Sequence, residues 1–177
     1  MSLNVCPSIV RRATPEDYQD IWRLFMMAHN ENGLFSLSPQ KVDFFLKRAL
    51  APSQIAPNDN GPRGEVAVIG PVGQLEAICF VILGSFWYSD DMHLEELIVY
   101  VDPERRRSHH AKELILWMKA AADEIDIPLF TGVMSTIRTE AKVRFYERFV
   151  PKIGAFFFYP LDKAKVQHEL PPRRRVA

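Results

Sequence analysis

The stretch "VDPERRRSHHAKELI", residues 101–115, joins the end of an apolar segment to the start of an amphipathic one. An Asp-Pro pair ends the first segment, because proline donates no N–H to a sheet and is confined to strand ends and edges. Three arginines at 105–107 and two histidines at 109–110 then crowd into the turn. From Ala111 onward, apolar residues recur at helical spacing. The stretch therefore predicts a strand, a cationic turn and a long helix.

Further strands are predicted on both sides of this stretch. "EVAVIG" and "LEAICFVIL" flank "PVGQ" between residues 65 and 83, which predicts a hairpin, and "MHLEELIVYV" at 92–101 predicts the next strand. A short apolar run, "IVRR", predicts a first strand near the N-terminus. After the long helix, "PLFTGV" at 128–133 and "IGAFFFYPL" at 153–161 predict two more strands, separated by a helix at 138–149.

Two helices are predicted before the hairpin. Thr14 is a candidate cap for the first, with proline at the first helical position and Asp17 as a capping-box acid. Ser38 is a candidate cap for the second, again with proline behind it. Residues 51–64, rich in Pro, Gly and Asn, predict a loop. The predicted order is β-α-α-β-β-β-α-β-α-β.

The composition is that of an ordinary globular domain. The chain has 177 residues, of which 47% are hydrophobic, and its 22 basic residues balance its 22 acidic ones. This balance argues against a general nucleic-acid binder or membrane binder, which would show a broad basic excess. We expect one domain over residues 1–161, followed by a polar, basic tail at 162–177 that ends "PPRRRVA".

Cysteine usage and hydropathy favour a cytoplasmic protein without a metal site. The two cysteines, Cys6 and Cys79, make no disulfide framework, and Cys79 lies in an apolar run typical of a core strand. Neither C-x-x-C nor H-E-x-x-H occurs. No stretch reaches the length of a membrane span, and the N-terminus has no signal-peptide pattern.

The cationic turn is a candidate anion site. A helix start offers unpaired backbone N–H groups and a positive dipole end, both of which suit phosphate. Arg106 and its neighbours add long-range attraction, and Ser108 is a plausible cap. A solvated basic turn is the plain alternative, since runs of charge are usually solvated.

The turn and the element order together resemble the GCN5-related N-acetyltransferase (GNAT) family, over roughly residues 8–160. The family's cofactor signature reads Val-x-Pro and then [Gln/Arg]-x-x-Gly-x-[Gly/Ala]. Here Val101-Asp102-Pro103 matches the lead-in, Arg106 the first position and Ala111 the last. His109 stands where the signature has its first glycine, and a histidine requires the ordinary negative φ that a first helical turn supplies. This turn is also similar to that of some phage-encoded members, which implies a phage-type protein.

The resemblance implies a fold and a cofactor. The fold is of the α/β (α+β) class, with a mixed, mostly antiparallel sheet of about six strands flanked by four helices. The cofactor is acetyl-CoA, with its pyrophosphate on the amides of Arg107 to Ala111 and its pantetheine paired along β-strand residues 97–101. The implied cofactor-binding residues are Leu97, Ile98, Val99, Val101, Arg106, Arg107, Ser108, His109, His110 and Ala111.

A second resemblance concerns "AKVRFYERF", residues 141–149. Family members carry a Tyr after an aliphatic or aromatic residue on this helix, and Phe145-Tyr146 matches that pair. The resemblance implies that Tyr146 protonates the departing CoA thiolate. "VPKIGAFFF" replaces the Gly-Phe that usually follows, so we expect a shortened final hairpin. Packing of Tyr146 in the core is the alternative.

Acetyl transfer to an amine by direct attack requires a neutral amine, and therefore a base. Glu95 and Glu96 lie near the middle of the predicted strand, and adjacent strand residues point to opposite faces. Only one of them can face the acceptor, with Glu96 slightly favoured, and His93 is a third candidate on the face of Glu95. Both glutamates could instead be ordinary polar strand residues.

The acceptor is predicted to be a primary amine of a small molecule or a protein. Its pocket is expected between the first two helices and the loop at 51–64, with aromatic residues Phe35, Phe44, Phe45, Trp87 and Tyr88 around it. The family resemblance allows a homodimer, whereas neither a nucleic-acid nor a membrane partner is expected. The alternative function is a GNAT-fold protein that is catalytically weak or inactive and serves in CoA binding or protein interaction.

Overall fold

The structure is a computed structural model that describes residues 9–51, 63–135 and 137–157. Its chain divides into two compact units after Gly132. Each unit is described here on its own. The first carries the sheet and three helices, and the second carries one helix.

One five-stranded sheet forms the first unit. The strands are β1 (Val10–Arg12), β2 (Gly64–Ile69), β3 (Ala77–Ser85), β4 (Met92–Val101) and β5 (Leu129–Phe130). Their spatial order is β1-β2-β3-β4-β5. Neighbours are antiparallel except for β4 and β5, which are parallel. The sheet is therefore mixed and mostly antiparallel, as the resemblance implies.

Four α-helices accompany the strands. They are α1 (Tyr18–Asn32), α2 (Pro39–Leu50), α3 (His110–Glu124) and, in the second unit, α4 (Thr139–Tyr146). The predicted hairpin, its turn and the long helix behind the cationic turn are all present. Within the described part of the chain, none of the helices has the length and apolar character needed to cross a bilayer.

The sheet has two covered faces. Helices α1 and α2 pack on the face that we call the α1/α2 face, where strand residues Val66, Phe80 and Tyr100 join a core cluster with α1 and α2 residues such as Leu24 and Leu46. Helix α3 packs against the strands on the opposite face, the α3 face. Its buried residues are Leu114, Ile115, Met118 and Ala122. This inward stripe is the apolar face that the sequence predicts for the long helix.

The last predicted strand is not observed. Residues 153–157 lie in neither helix nor strand, and the rest of that prediction, 158–161, lies outside the described residues, as does the predicted tail. A strand needs a ladder partner for its backbone and burial for one of its faces. Phe156 and Phe157 are 75% and 95% exposed, so this segment buries neither ring. The described sheet therefore has five strands rather than about six.

Strand β4 contains a β-bulge. Phe80 of β3 pairs with Ile98, but the next residue, Val81, pairs with Glu96, so Leu97 is an extra residue. One extra residue exchanges the faces of every side chain beyond it, because side chains alternate along a strand. Ile98 lies on the α1/α2 face, and the bulge therefore brings Glu95, not Glu96, to that face.

A buried ion pair ties the N-terminal strand to the first helix. Asp17 is fully buried, and both of its oxygens accept hydrogen bonds from Arg11, at 2.8 and 2.7 Å. The Thr14 backbone N–H donates to the same carboxylate at 2.8 Å, as the predicted capping box requires. Arg11 also donates to the carbonyl of Gly70, whose positive φ of 111° suits glycine. The Arg11 hydrogen bonds lower the pKa of Asp17.

Adjacent arginines of β1 provide a matched test of this ion pair. Arg11→Gln leaves the buried Asp17 charge without its partner, and we expect a loss of about 3–5 kcal/mol in unfolding free energy. Arg12 pairs with Glu65 while 68% exposed, so Arg12→Gln should cost less than about 1 kcal/mol. Urea denaturation at pH 7 measures both, and equal losses would contradict the assigned importance of Asp17.

The same pair predicts a pH dependence. Because the folded-state pKa of Asp17 is lowered, its stabilisation is fully present above about pH 4 and is lost as the pH falls through the folded-state value. The gap in unfolding free energy between the wild type and Arg11→Gln should therefore narrow on acidification. Denaturation curves at pH 7 and near pH 3 test this, and a constant gap would count against it.

Candidate active site

Glu95 and His93 share the α1/α2 face of β4. Glu95 pairs with Ile82, which packs against the core on that face. His93 is buried, with its Nε2 atom 4.0 Å from a carboxylate oxygen of Glu95, whose side chain is 40% exposed. Gly84 lies opposite His93 and contributes no side chain over the two groups. The arrangement is an accessible carboxylate beside a buried imidazole, on the face predicted for the acceptor.

Glu96 lies on the opposite face. It pairs with Val81, and its carboxylate accepts a hydrogen bond from the hydroxyl of Thr131, just after β5. Cys79 is on the same face and fully buried, and burial, together with Glu96 and Glu65, raises the pKa of its thiol. The sequence slightly favours Glu96 as the acceptor-facing residue. Regular alternation along β4 would place Glu96 on the same face as Ile98, but the bulge places Glu95 there instead.

One edge of β4 is open beyond Glu95. Strand β3 pairs with β4 up to Val101, whereas β5 pairs only with Leu94 and Glu95. Among the described residues, no strand pairs with residues 97–101 on the β5 side. This is the stretch predicted to pair with pantetheine, and an unpaired strand edge presents the N–H and C=O groups that an added extended group needs.

The open edge leads to the start of α3. The backbone N–H groups of Arg107, His109 and Ala111 have no protein acceptor within the described part of the chain. His109 is the N-cap residue, with φ −89° and ψ 6°, so this backbone has no need of glycine's positive φ. The Ser108 hydroxyl accepts from the His110 N–H at 3.2 Å. The turn thus offers unpaired donors at a helix N-terminus.

The cations of the turn differ in their partners. Arg106 donates to both carboxylate oxygens of Glu31, at the end of α1, with both distances 2.6 Å. The Tyr100 hydroxyl also donates to Glu31, at 2.6 Å. Burial is the main cause that raises the pKa of Tyr100, and this hydrogen bond is the second. Arg107 and His109 are exposed, and neither side chain bonds to another described residue. Arg106, the residue that matches the signature, is therefore already paired with an acid.

A second acid, Glu76, contacts one residue on each side of the turn. Glu76, next to β3, accepts from Arg105 at 3.1 Å and lies 2.6 Å from Nε2 of His110. The side chain of His110 is only 13% exposed, so it faces Glu76 rather than solvent. Neither Glu76 nor Glu31 is predicted as a site residue from the sequence. Each is a single acid far along the chain from its partner, and only the fold brings them together.

Tyr146 belongs to the second unit and ends α4. Its ring is half-buried, with its centroid 6.2 Å from that of Phe145. The helix begins after Arg138, whose φ is 54°, and Lys142 donates to the Ser135 hydroxyl at 2.6 Å. The role of Tyr146 as an acid stays a prediction from the resemblance.

The predicted aromatic residues fall into two groups. Phe45 packs against the core of the α1/α2 face, while Phe35 and Phe44 are 68% and 53% exposed. Trp87 and Tyr88 lie in the turn between β3 and β4, near His93. The predicted loop wall at 52–62 lies outside the described residues.

A surface cleft of about 390 Å³ lies at the start of α1 and the end of α2, and it contains none of the predicted site residues. Its lining is Pro15, Glu16, Tyr18, Gln19, Lys47, Leu50 and Ala51. In the described ranges, no group of three or more His, Cys, Asp or Glu residues is placed to hold a metal ion.

Comparison with solved structures identifies the fold. The chain resembles an aminoglycoside acetyltransferase from an uncultured soil metagenomic sample, with 18% identity over 86% of this chain and 95% of that one, and a TM-score of 0.60. It also resembles a possible acetyltransferase from Clostridium difficile 630, with 16% identity, coverage of 85% and 95%, and a TM-score of 0.62. A ribosomal-protein-alanine N-acetyltransferase from Brucella melitensis biovar Abortus 2308 has 14% identity, coverage of 85% and 96%, and a TM-score of 0.59.

These matches show that the chain has the fold of those acetyltransferases, the fold that the resemblance predicts. No protein-family model matches the sequence. No curated protein matches it either.

The Glu31–Arg106 pair yields a test of the turn. An anion bound at the start of α3 must compete with Glu31 for Arg106, so Glu31→Gln should tighten CoA binding severalfold. Arg106→Ala should weaken it about tenfold, the loss expected for one charge-assisted hydrogen bond. Calorimetric titration with CoA measures both. Unchanged affinity in both variants would exclude Arg106 from the site.

Proposed function

We propose that this protein is an acetyl-CoA-dependent N-acetyltransferase that acetylates a primary amine by direct attack. One observation carries the proposal: among the described residues, the open edge of β4 runs from an accessible carboxylate, Glu95, to N–H groups without a protein acceptor at the start of α3. In acetyl-CoA the pantetheine arm joins the thioester to the diphosphate. The arm would pair along the open edge, with the diphosphate at the N–H groups and the thioester near Glu95. The fold shared with named acetyltransferases supports the same reading.

The residues of the turn fit a diphosphate. The N–H groups of Arg107, His109 and Ala111 have no acceptor in the part of the protein that the structure describes, and the helix dipole favours negative charge there. Arg107 is exposed and adds a cation. The negative φ of His109 means that the missing signature glycine does not distort this backbone. Residues 97–101 would hold the pantetheine amides along the open edge.

Glu95 is the proposed base. When bound, acetyl-CoA supplies a thioester carbonyl carbon to which the amine nitrogen bonds as the C–S bond breaks. Glu95 takes the proton that the amine must lose, directly or through a water. Its 40% exposure leaves it reachable, and the Nε2 atom of buried His93 lies 4.0 Å from its carboxylate. Glu96 is less suited, because it bonds to Thr131 on the α3 face.

Two further tasks fall to β4 and α4. The bulge at Leu97 leaves one residue outside the regular ladder, and a backbone N–H here is the proposed donor to the developing oxyanion. Tyr146 is the proposed donor of the proton to the leaving thiolate, on the strength of the Phe-Tyr match in the sequence. A phenol that donates its proton at neutral pH suits this task, since its ordinary pKa is about 10.

A second candidate function is a CoA-binding or interaction protein with little or no activity. The observation that favours it is the pairing of Arg106 with Glu31, which occupies the cation that the signature assigns to the cofactor. This candidate predicts CoA binding without turnover of any amine. The cytoplasmic location, the homodimer and the phage-type origin remain predictions of the sequence.

The two glutamates give a matched test of the proposal. Glu95→Gln should lower kcat by about 10² to 10³ while the Kd for acetyl-CoA stays within twofold, because a base contributes to the chemical step and not to cofactor binding. Glu96→Gln, a neighbour on the other face, should retain most of the activity. Release of free CoA thiol with a panel of primary amines is the measurement.

The same assay judges Tyr146 and the proposal as a whole. Tyr146→Phe should lower kcat at unchanged acetyl-CoA affinity. If acetyl-CoA fails to raise the melting temperature at millimolar concentration, the proposed function is wrong. Binding of acetyl-CoA without turnover of any amine would support the second candidate instead.

A further inference from the structure

The imidazole of His93 is buried and makes no hydrogen bond to another described residue. Its side chain is only 9% exposed, and the ring of Phe86 stacks on it with centroids 4.7 Å apart. The ring of Phe130 meets it edge-on, with centroids 5.8 Å apart. The two rings fix the plane of the imidazole but do not satisfy its nitrogen atoms. A buried polar group without a partner is uncommon in proteins, so this one needs an explanation.

Glu95 faces the imidazole at a distance that suits a bridging group. A carboxylate oxygen of Glu95 lies 4.0 Å from Nε2 of His93, which is too far for a direct hydrogen bond. Two hydrogen bonds of about 2.9 Å that meet at one nitrogen atom bring their acceptors roughly 4–5 Å apart. The Glu95 carboxylate also makes no hydrogen bond to another described residue, and it is 40% exposed. The two groups are therefore spaced to accept two N–H groups from one nitrogen between them.

Gly84 leaves the space beside these two acceptors open. It lies directly opposite His93 in the ladder between β3 and β4. A Cβ atom at this position would be 3.5 Å from Nε2 of His93 and 3.5 Å from a carboxylate oxygen of Glu95, so both acceptor atoms border the same space. Glycine inside a strand weakens the strand, and it often marks a place where a ligand approaches closely.

The proposed reaction removes two protons from the amine. A primary ammonium loses one proton before its nitrogen can attack, and it loses a second as the amide forms. The leaving thiolate takes up one proton, so one proton is released overall. One carboxylate holds only one proton at a time. Two acceptors that reach the same nitrogen can therefore take both protons in a single encounter.

We propose that His93 is a second catalytic base, and that the amine nitrogen of the acceptor binds between His93 and Glu95, beside Gly84. The inference rests on the proposed function, because it assigns a further base for the same reaction. Glu95 takes the first proton, which leaves the nitrogen with a free electron pair. That pair forms the C–N bond as the C–S bond breaks, and Nε2 of His93 takes the second proton.

A neutral imidazole suits this second step. Histidine gains and loses a proton near neutral pH, and the tautomer with its hydrogen on Nδ1 leaves Nε2 free to accept. The thiolate is protonated by Tyr146, as proposed above, and Tyr146 regains its proton from one of the two bases. The other base releases its proton to solvent. The products are one amide, one thiol and one proton.

The kinetic test removes the imidazole and then returns it. His93→Phe keeps a ring between Phe86 and Phe130 but has no nitrogen atom. With propylamine as the acceptor, it should lower kcat about tenfold to hundredfold, while the Kd for acetyl-CoA stays within twofold. His93→Ala should lose as much. Added imidazole should restore part of the activity of His93→Ala and none of that of His93→Phe, whose ring fills the space.

The matched control is Met92→Ala. Met92 precedes His93 on the other face of β4 and is 44% exposed, so this change should alter neither kcat nor the Kd. Formation of N-propylacetamide is the measurement throughout. If propylamine is acetylated and His93→Phe matches the wild type, the second base is wrong and the proposed function stands.

A binding measurement separates this inference from the proposed function. In the protein saturated with CoA, propylamine should shift the side-chain ¹⁵N NMR signals of His93, which are the signals that His93→Phe lacks. A shift without acetylation of any amine would support the amine site and overturn the acetyltransferase. A loss of kcat in His93→Phe without any shift in the wild type would place a water between the two groups and overturn direct binding. Neither a shift nor acetylation would overturn both.

Discussion

The single extra residue in β4 is the constraint on which the candidate site depends. Without the bulge at Leu97, regular alternation would place Glu96 beside Ile98 and Tyr100, and Glu95 would face α3. With it, Glu95 and His93 face α1 and α2, and Glu96 is bonded to Thr131. The same bulge lies where β5 stops pairing with β4. One insertion therefore sets both which carboxylate is accessible and where an extended ligand could pair.

The sequence predicts most of the fold because the fold rests on local patterns. The period of apolar residues marks α1, α2 and α3, the Asp-Pro pair marks the end of β4, and Thr14 and Asp17 mark the capping box. It fails on the described part of the last strand, where apolar residues at 153–157 have β character but pair with no other described strand. Strand propensity indicates what can pair, whereas pairing itself depends on the rest of the sheet.

The candidate site is less predictable because its groups meet through the fold. The sequence places the cations of the turn and the two glutamates of β4 correctly along the chain. It gives no sign of the bulge that selects Glu95, and none of Glu31, which lies 75 residues from Arg106. The sequence predicts Asp17 only as a capping-box acid, and its bidentate pairing with Arg11 depends on the position of β1. Contacts between distant segments leave no periodic pattern in the sequence from which they could be predicted.

Buried Cys79 has a practical consequence for work in solution. Thiol reagents react with the thiolate, and both the burial of this side chain and the carboxylates near it disfavour that form. Cys79 lies on the α3 face of the central strand β3, so α3 and the sheet must separate before a reagent can reach the sulfur. The rate at which this cysteine is alkylated thus records how often the core between α3 and the sheet opens, without any engineered cysteine in the first unit.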